Sequence, residues 1–169
     1  MLKQQIAANL ETTFGQFGFA ESSVALLQKA SGVSLRTLYK YYPSKEDMIV
    51  AALESRHQRY LKILEVDISE LGFPAIQHIF CRLQHWMQHS APKGCMSMQA
   101  LAAFPDNQQI ADVVNQHKHE LKLFLGQQSQ RQDLATALFI LHEGVSSSWP
   151  VLGDAAVKEA IEISHTLLK

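Results

Sequence analysis

The chain has 169 residues, 47% of them hydrophobic and 18% charged, with a formal net charge of −1. That balance excludes a disordered chain and allows either one continuous domain or a small domain beside a larger one. No apolar run approaches bilayer length, polar Gln4, Gln5 and Asn9 stand where a secretion signal is apolar, and two cysteines make no disulfide framework, so a cytoplasmic protein without a membrane partner is expected.

Leu2, Ile6, Leu10, Phe14 and Phe17 recur at helical spacing, which predicts a first helix from Lys3 to about Phe17, weakened at Gly15 and ended at Gly18. Phe14, Phe17 and Phe19 are expected to staple it over the pair of short helices next in the chain. The first helix is predicted to start almost at residue 1, so no basic arm entering the minor groove is expected. Residues 22–45, SSVALLQKASGVSLRTLYKYYPSK, read as those two short helices joined by a tight turn. Ser22 or Ser23 caps the first of the pair, because a serine oxygen accepts from a backbone N–H otherwise orphaned in the first turn. Val24 and Leu27 share one face. Gly32 follows the last helical residue, where a left-handed turn costs glycine little. Ser34 caps the second helix and Pro43 stops it. This is the sequence form of a helix-turn-helix.

The second helix has the chemistry of a DNA-reading surface. With Leu38 and part of Tyr41 or Tyr42 turned inward, Arg36, Thr37, Tyr39 and Lys40 point out. Arginine can pair twice with guanine, threonine offers a hydroxyl and a methyl, and lysine and tyrosine hydroxyls suit phosphates. No carboxylate lies between Ala30 and Lys45. Residues 1–60 carry seven basic and five acidic side chains, a net +2 against −3 for the remainder, so modest affinity that falls with salt is expected. An ordinary helical hairpin with solvated charges accounts for the same periodicity.

The segment GFAESSVALLQKASGVSLRTLYKYYPSKEDM resembles the DNA-binding segment of the tetracycline-repressor (TetR) family of transcriptional regulators. The resemblance rests on Gly18, Ser22–Ser23, Val24, Ala30, Gly32–Val33–Ser34, Thr37–Leu38–Tyr39, Tyr41–Tyr42 and Ser44–Lys45–Glu46. It covers roughly the first third of the chain and is specific in combination. The family usually has a small residue where Gln28 stands, and often lysine-glycine where Leu35–Arg36 stands. The resemblance implies an all-α fold of about nine helices: a three-helix DNA-binding unit over residues 1–45, then a ligand-binding and dimerisation body over 46–169. It implies a ligand-responsive regulator, most simply a repressor, that binds a palindromic double-stranded operator as a homodimer. The expected DNA contacts are Ser22, Ser23, Ser34, Arg36, Thr37, Tyr39, Lys40, Tyr42 and Lys45.

Ser44 and Asp47 at capping-box spacing open a long helix from Lys45 to about Glu65. Asp67 to Gly72 is a polar break, and Pro74 starts a helix to about Ser90 that is apolar on more than one face. Pro92–Lys93–Gly94 ends it. A short helix with Met96, Met98, Leu101 and Phe104 stops at Pro105. Asp106 and Gln109 form another capping-box pair, opening a helix to about Leu125. Residues 126–130 read as a polar loop. Two last helices are predicted over 131–149 and 154–168, separated by Pro150 and Gly153. No repeat and no strand pattern is present.

Within this body, the resemblance implies that the middle helices enclose an effector pocket, and adaptable methionine beside aromatic rings suits an apolar or aromatic ligand. Spacing and family layout give Gln84, Met87, Met98, Phe104 and His117 as its lining, although ordinary core accounts for such residues too. Dimerisation is assigned to the last two helices. Leu134, Leu138, Leu141, Gly144, Val145 and Ser148 form one stripe, and Val157, Ile161, Ser164 and Leu168 the other. Gly144 in a helix interior suggests a close helix approach. Packing on the same subunit is the competing reading.

Cys81, His85 and His89 lie on one helical face at ligand spacing, which allows a metal-responsive regulator or a polar surface. Cys95 near a helix start is a possible reactive thiol. There is no phosphate loop, nucleophile elbow or His-Glu-x-x-His, so no enzyme and no cofactor is expected. A helical protein-interaction module with a coincidental helix-turn-helix is the alternative class.

Overall fold

The computed structural model describes residues 1–169. It contains nine α-helices and no strand: α1 Leu2–Glu21, α2 Val24–Ser31, α3 Leu35–Tyr41, α4 Lys45–Glu65, α5 Phe73–His89, α6 Met96–Ala103, α7 Gln108–Ser129, α8 Ala135–Leu152 and α9 Asp154–Leu167. A 3₁₀ turn, Gln132–Leu134, precedes α8. No helix is long and apolar enough to cross a membrane.

The chain packs as two compact units, one of residues 1–59 with 96–115 and one of 60–95 with 116–169. This packing division is a different cut from the functional one expected after residue 45. In the first unit, Ile6, Leu10 and Phe14 of α1 are buried with Leu27, Leu38, Met48 and Ile49, joined by Met96, Ala100, Ile110 and Val114. Helices α2 and α3 are 8 and 7 residues long, too short to persist alone. Leu27 and Leu38 are fully buried. Each such side chain contributes about 2 kcal/mol, more than a single hydrogen bond of the turn at about 1 kcal/mol. Tertiary burial therefore holds the motif, and the turn fixes its angle.

The second unit has its own core. Leu64, Ile76, Ile79, Phe80, Leu83 and Met87 are buried with Leu121, Leu125, Leu138, Val145 and Val157. Helices α5, α8 and α9 pack on one another.

Several boundaries differ from the sequence reading. Gly18 breaks the regular course of α1 with φ 79° and ψ 174°, as its position suggested, but Phe17 beside it is 45% exposed rather than part of the staple. The first turn of α7 is capped by Asn107, whose Oδ1 accepts from Ile110 N at 3.0 Å, and not by Asp106. Helix α7 continues through Gly126 to Ser129, where a loop was predicted. Gly126 is there for space: a Cβ would sit 2.5 Å from Gln132 Oε1 and 2.9 Å from Ala135 Cβ. Pro150 lies inside α8 and does not end it. Gly153, with φ 53°, makes the turn into α9.

Candidate nucleic-acid interface

The helix-turn-helix is built from one side chain per backbone need. Ser23 Oγ accepts from Leu26 N at 3.2 Å and caps α2. Gly32 takes the left-handed conformation (φ 70°) that ends it. Gln28, larger than the residue usual at its position, reaches across the turn and donates from Nε2 to Val33 O at 2.6 Å. Ser34 Oγ accepts from Thr37 N at 3.1 Å and lies 2.9 Å from Thr37 Oγ1, so the cap of α3 holds both hydroxyls. After α3, Ser44 and Asp47 form the reciprocal cap of α4: Asp47 N donates to Ser44 Oγ at 3.0 Å, and Ser44 N to Asp47 Oδ2 at 3.0 Å. Hydrogen bonds from Ser44 and then Gln109 hold the Asp47 carboxyl below its usual range.

This framework leaves one face of α3 open. Ser34, Leu35, Arg36, Tyr39 and Lys40 are exposed, Thr37 is half-buried, and Leu38 is fully buried beneath them. Arg36 and Lys40 are one turn apart, as are Leu35 and Tyr39, so the face has a cationic row beside an apolar one. Leu35, 48% exposed, was missed as a surface candidate. Its spacing of three from the inward Leu38 pointed it toward the core, so the sequence carried no signal of its exposure.

Three expected contacts are placed otherwise. Ser22 is fully buried, and its hydroxyl donates to Gly18 O at 2.6 Å, tying down the break in α1. Tyr42 is buried too, its hydroxyl donating to Lys3 O at 2.9 Å with the Lys3 ammonium 5.7 Å from the ring centre. Burial, and secondarily Glu54, pushes its phenol above the usual range. Neither hydroxyl is presented outward. Lys45 is half-buried, and its ammonium donates to Phe19 O at 2.8 Å. A groove of about 410 Å³ lies beside these residues, lined among others by Lys3, Tyr41, Asp47, Glu54 and Gln58.

The second unit holds a connected run of ionisable groups. The Tyr60 hydroxyl meets His142 Nε2 at 2.5 Å, and His142 Nδ1 lies 3.1 Å from Glu143 Oε1. Lys118 Nζ donates to both Glu143 oxygens at 2.7–2.8 Å and to Cys95 Sγ at 3.3 Å. Burial alone would raise the Glu143 carboxyl, but the His142 hydrogen bond and the Lys118 charge hold it down to about 2. Burial would likewise lower Lys118, yet Cys95 and Glu143 keep it above its ordinary value. Burial pushes His142 down, so it is held neutral.

The remaining candidates are scattered. Met87 and His117 are buried in the second unit, where Gln84 Nε2 donates to Asp154 Oδ1 at 2.8 Å. Met98 and Phe104 belong to the first unit, where Met98 is 49% exposed and Phe104 packs edge-on against Phe19. Neither unit gathers the five effector candidates by itself. On α8 and α9, Leu138, Val145, Val157 and Ser164 are buried within their own chain, and Leu134, Leu141, Ile161 and Leu168 pack against the same core. Ser148 is half-buried, donating to Gly144 O. Gly144 is exposed with nothing within 4 Å, so no close approach within the chain explains it. Cys81 is exposed, and the His85 and His89 rings lie 4.2 Å apart, with His89 Nδ1 on the His85 carbonyl. No three His, Cys, Asp or Glu side chains gather as a metal site.

Residues 8–52 match the model of the tetR family of bacterial regulatory proteins. The fold is similar to that of SCO4454, a TetR-family transcriptional regulator from Streptomyces coelicolor (TM-score 0.83, 15% identity, 97% of this chain and 88% of that one). It is similar also to reduced NemR from E. coli (0.75, 19%, 98% and 95%). The multidrug-binding protein EbrR in complex with malachite green is a third (0.69, 17%, 99% and 98%). No curated protein matches the chain in sequence. Residues 8–52, across α2 and α3, thus carry the domain of the tetR family of bacterial regulatory proteins, and nearly the whole chain has the fold of these TetR-type structures.

Proposed function

We propose that the protein is a ligand-responsive transcriptional repressor of the cytoplasm. It binds a near-palindromic operator as a homodimer and lets go when its helical body takes up an apolar or aromatic small molecule. The observation that carries this reading is the open face of α3, with Arg36, Tyr39 and Lys40 exposed on a helix whose cap and buried Leu38 hold it rigid. Such a helix fits the major groove with its first turn on base edges, while cations further along meet phosphates. Ser34 and Thr37 stand at the same end, whereas Ser22 and Tyr42 support the framework from inside.

The dimer in this reading uses a face of α8 and α9 rotated from the one expected. Ile140 and Val151 are 62% and 86% exposed and share a face with Gly144, and Leu152 and Ile163 add exposed apolar surface. Two copies meeting there would make a four-helix bundle, with Gly144 at a close crossing. For the effector, the supporting likeness is to EbrR, whose structure holds malachite green.

The test is a mobility shift of the purified protein with the DNA upstream of its own gene, with and without aromatic dyes, beside sedimentation of the free protein. A dimer that retards that DNA and releases it with one of the dyes is expected. A clean monomer at micromolar concentration, or no preference over random DNA, contradicts the reading. Replacing Ile140 and Ile163 together with glutamate should give a folded monomer with little operator affinity.

A further inference from the structure

From the placement of Leu35 we infer a feature of the operator: each half-site contains a thymine whose 5-methyl group is read by Leu35, beside the base pair faced by Arg36. The inference rests on the proposal that α3 enters the major groove.

A single exposed leucine on a protein surface is ordinary and calls for no explanation by itself. Leu35 differs in position and in neighbours. It is the first residue of α3, the end of a reading helix that reaches base edges. The two hydroxyls flanking it in the same turn bond to one another, since Ser34 Oγ accepts from Thr37 N and lies 2.9 Å from Thr37 Oγ1. With Thr37 half-buried and bonded to Ser34, the side chains of this first turn most open to base edges are Leu35, 48% exposed, and the exposed Arg36 guanidinium. Tyr39 continues the apolar row one turn further on.

The major-groove edges offer this leucine one apolar partner. Guanine presents two acceptors, adenine an acceptor and a donor, cytosine a donor, and thymine an acceptor with its methyl group. Pressed against cytosine, a leucine would cover an amino group without satisfying it, and against a purine it would cover the N7 acceptor in the same way. Against thymine it covers a methyl group and removes both apolar surfaces from water.

The test isolates the methyl group. Operator DNA is selected from a random library with the full-length protein, and each thymine of the half-site is then replaced by deoxyuridine, which removes that methyl alone. One thymine per half-site should lose about fourfold in affinity on replacement, the equivalent of one buried methyl at about 0.8 kcal/mol, and replacing both symmetric copies should compound the loss. Leu35→Ala, folded by circular dichroism, should bind the thymine and deoxyuridine operators equally, while Arg36→Ala should keep the difference. Uniform indifference to deoxyuridine overturns the inference while leaving DNA reading by α3 intact, as does a Leu35→Ala variant that still discriminates. Failure to enrich any sequence removes the inference together with the reading beneath it.

Discussion

The two compact units handle buried charge in opposite ways. In the first, Glu11 of α1 is buried and meets Arg56 and Arg59 of α4, with Ser55 Oγ 3.4 Å away, so one carboxylate is held by two permanent cations. In the second, the run from Tyr60 through His142, Glu143 and Lys118 to Cys95 is centred on a buried histidine and a carboxyl whose charges depend on pH. An arginine cannot be deprotonated in a protein, whereas a histidine changes charge on mild acidification, and burial makes that protonation cost stability. The unit carrying α3 is thus braced by a clamp whose two cations are permanent. The helical body is braced by a network that acid can undo.

Breaking the first clamp should have the largest effect. Glu11→Ala leaves Arg56, only 12% exposed, without its carboxylate, and is expected to destabilise the protein by about 3–5 kcal/mol in urea unfolding. Acid sharpens the contrast from the other side. A carboxyl held near 2 instead of its ordinary 4.5 contributes stability above 4.5 and loses it as pH falls toward 2, an effect on the order of 3 kcal/mol. His142, held below its ordinary 6.5, contributes above that value and begins to lose its contribution just beneath it. Amide exchange between pH 7 and 4 should therefore loosen α8 before α1–α3. Equal loosening of both units would remove the distinction.

Smaller effects test how tightly each unit is tailored. Gly126→Ala forces a shift where α7 meets the start of α8 and should lower stability by about 1–3 kcal/mol, with no change in α3. Gln28→Ala removes the strap to Val33 O and should cost about 1 kcal/mol. Its readout is faster exchange at the turn, because the bond lies wholly within the first unit.

Features that depend on one side chain and one nearby backbone group were legible in the sequence. Ser23, Gly32, Ser34 and the Ser44–Asp47 pair act over three residues or fewer, and each does what its type suggested. Asp106 was mistaken for the cap in place of Asn107 because both side chains are competent caps and sit side by side. Features set by distant partners were not legible. Tyr42 reads as a surface tyrosine until its hydroxyl is found on Lys3 O, 39 residues away. Gly126 reads as a loop until the start of α8 is found against it. The apolar stripe of Leu138 and Val145 shows that α8 buries a face, but a stripe does not say whether its partner is the same chain or another. The alternative face appears only once Ile140 and Val151 are seen to remain exposed.

The central claim is that α3 reads DNA through the residues of its open face. Titration of selected operator and random duplex with the unmodified protein and with Arg36→Ala, at one salt concentration, tests it most directly. The account predicts that Arg36→Ala loses about 1–3 kcal/mol on the operator and far less on random DNA, so that the ratio of affinities collapses. Unchanged affinity for both duplexes, or an equal loss on both, would contradict it.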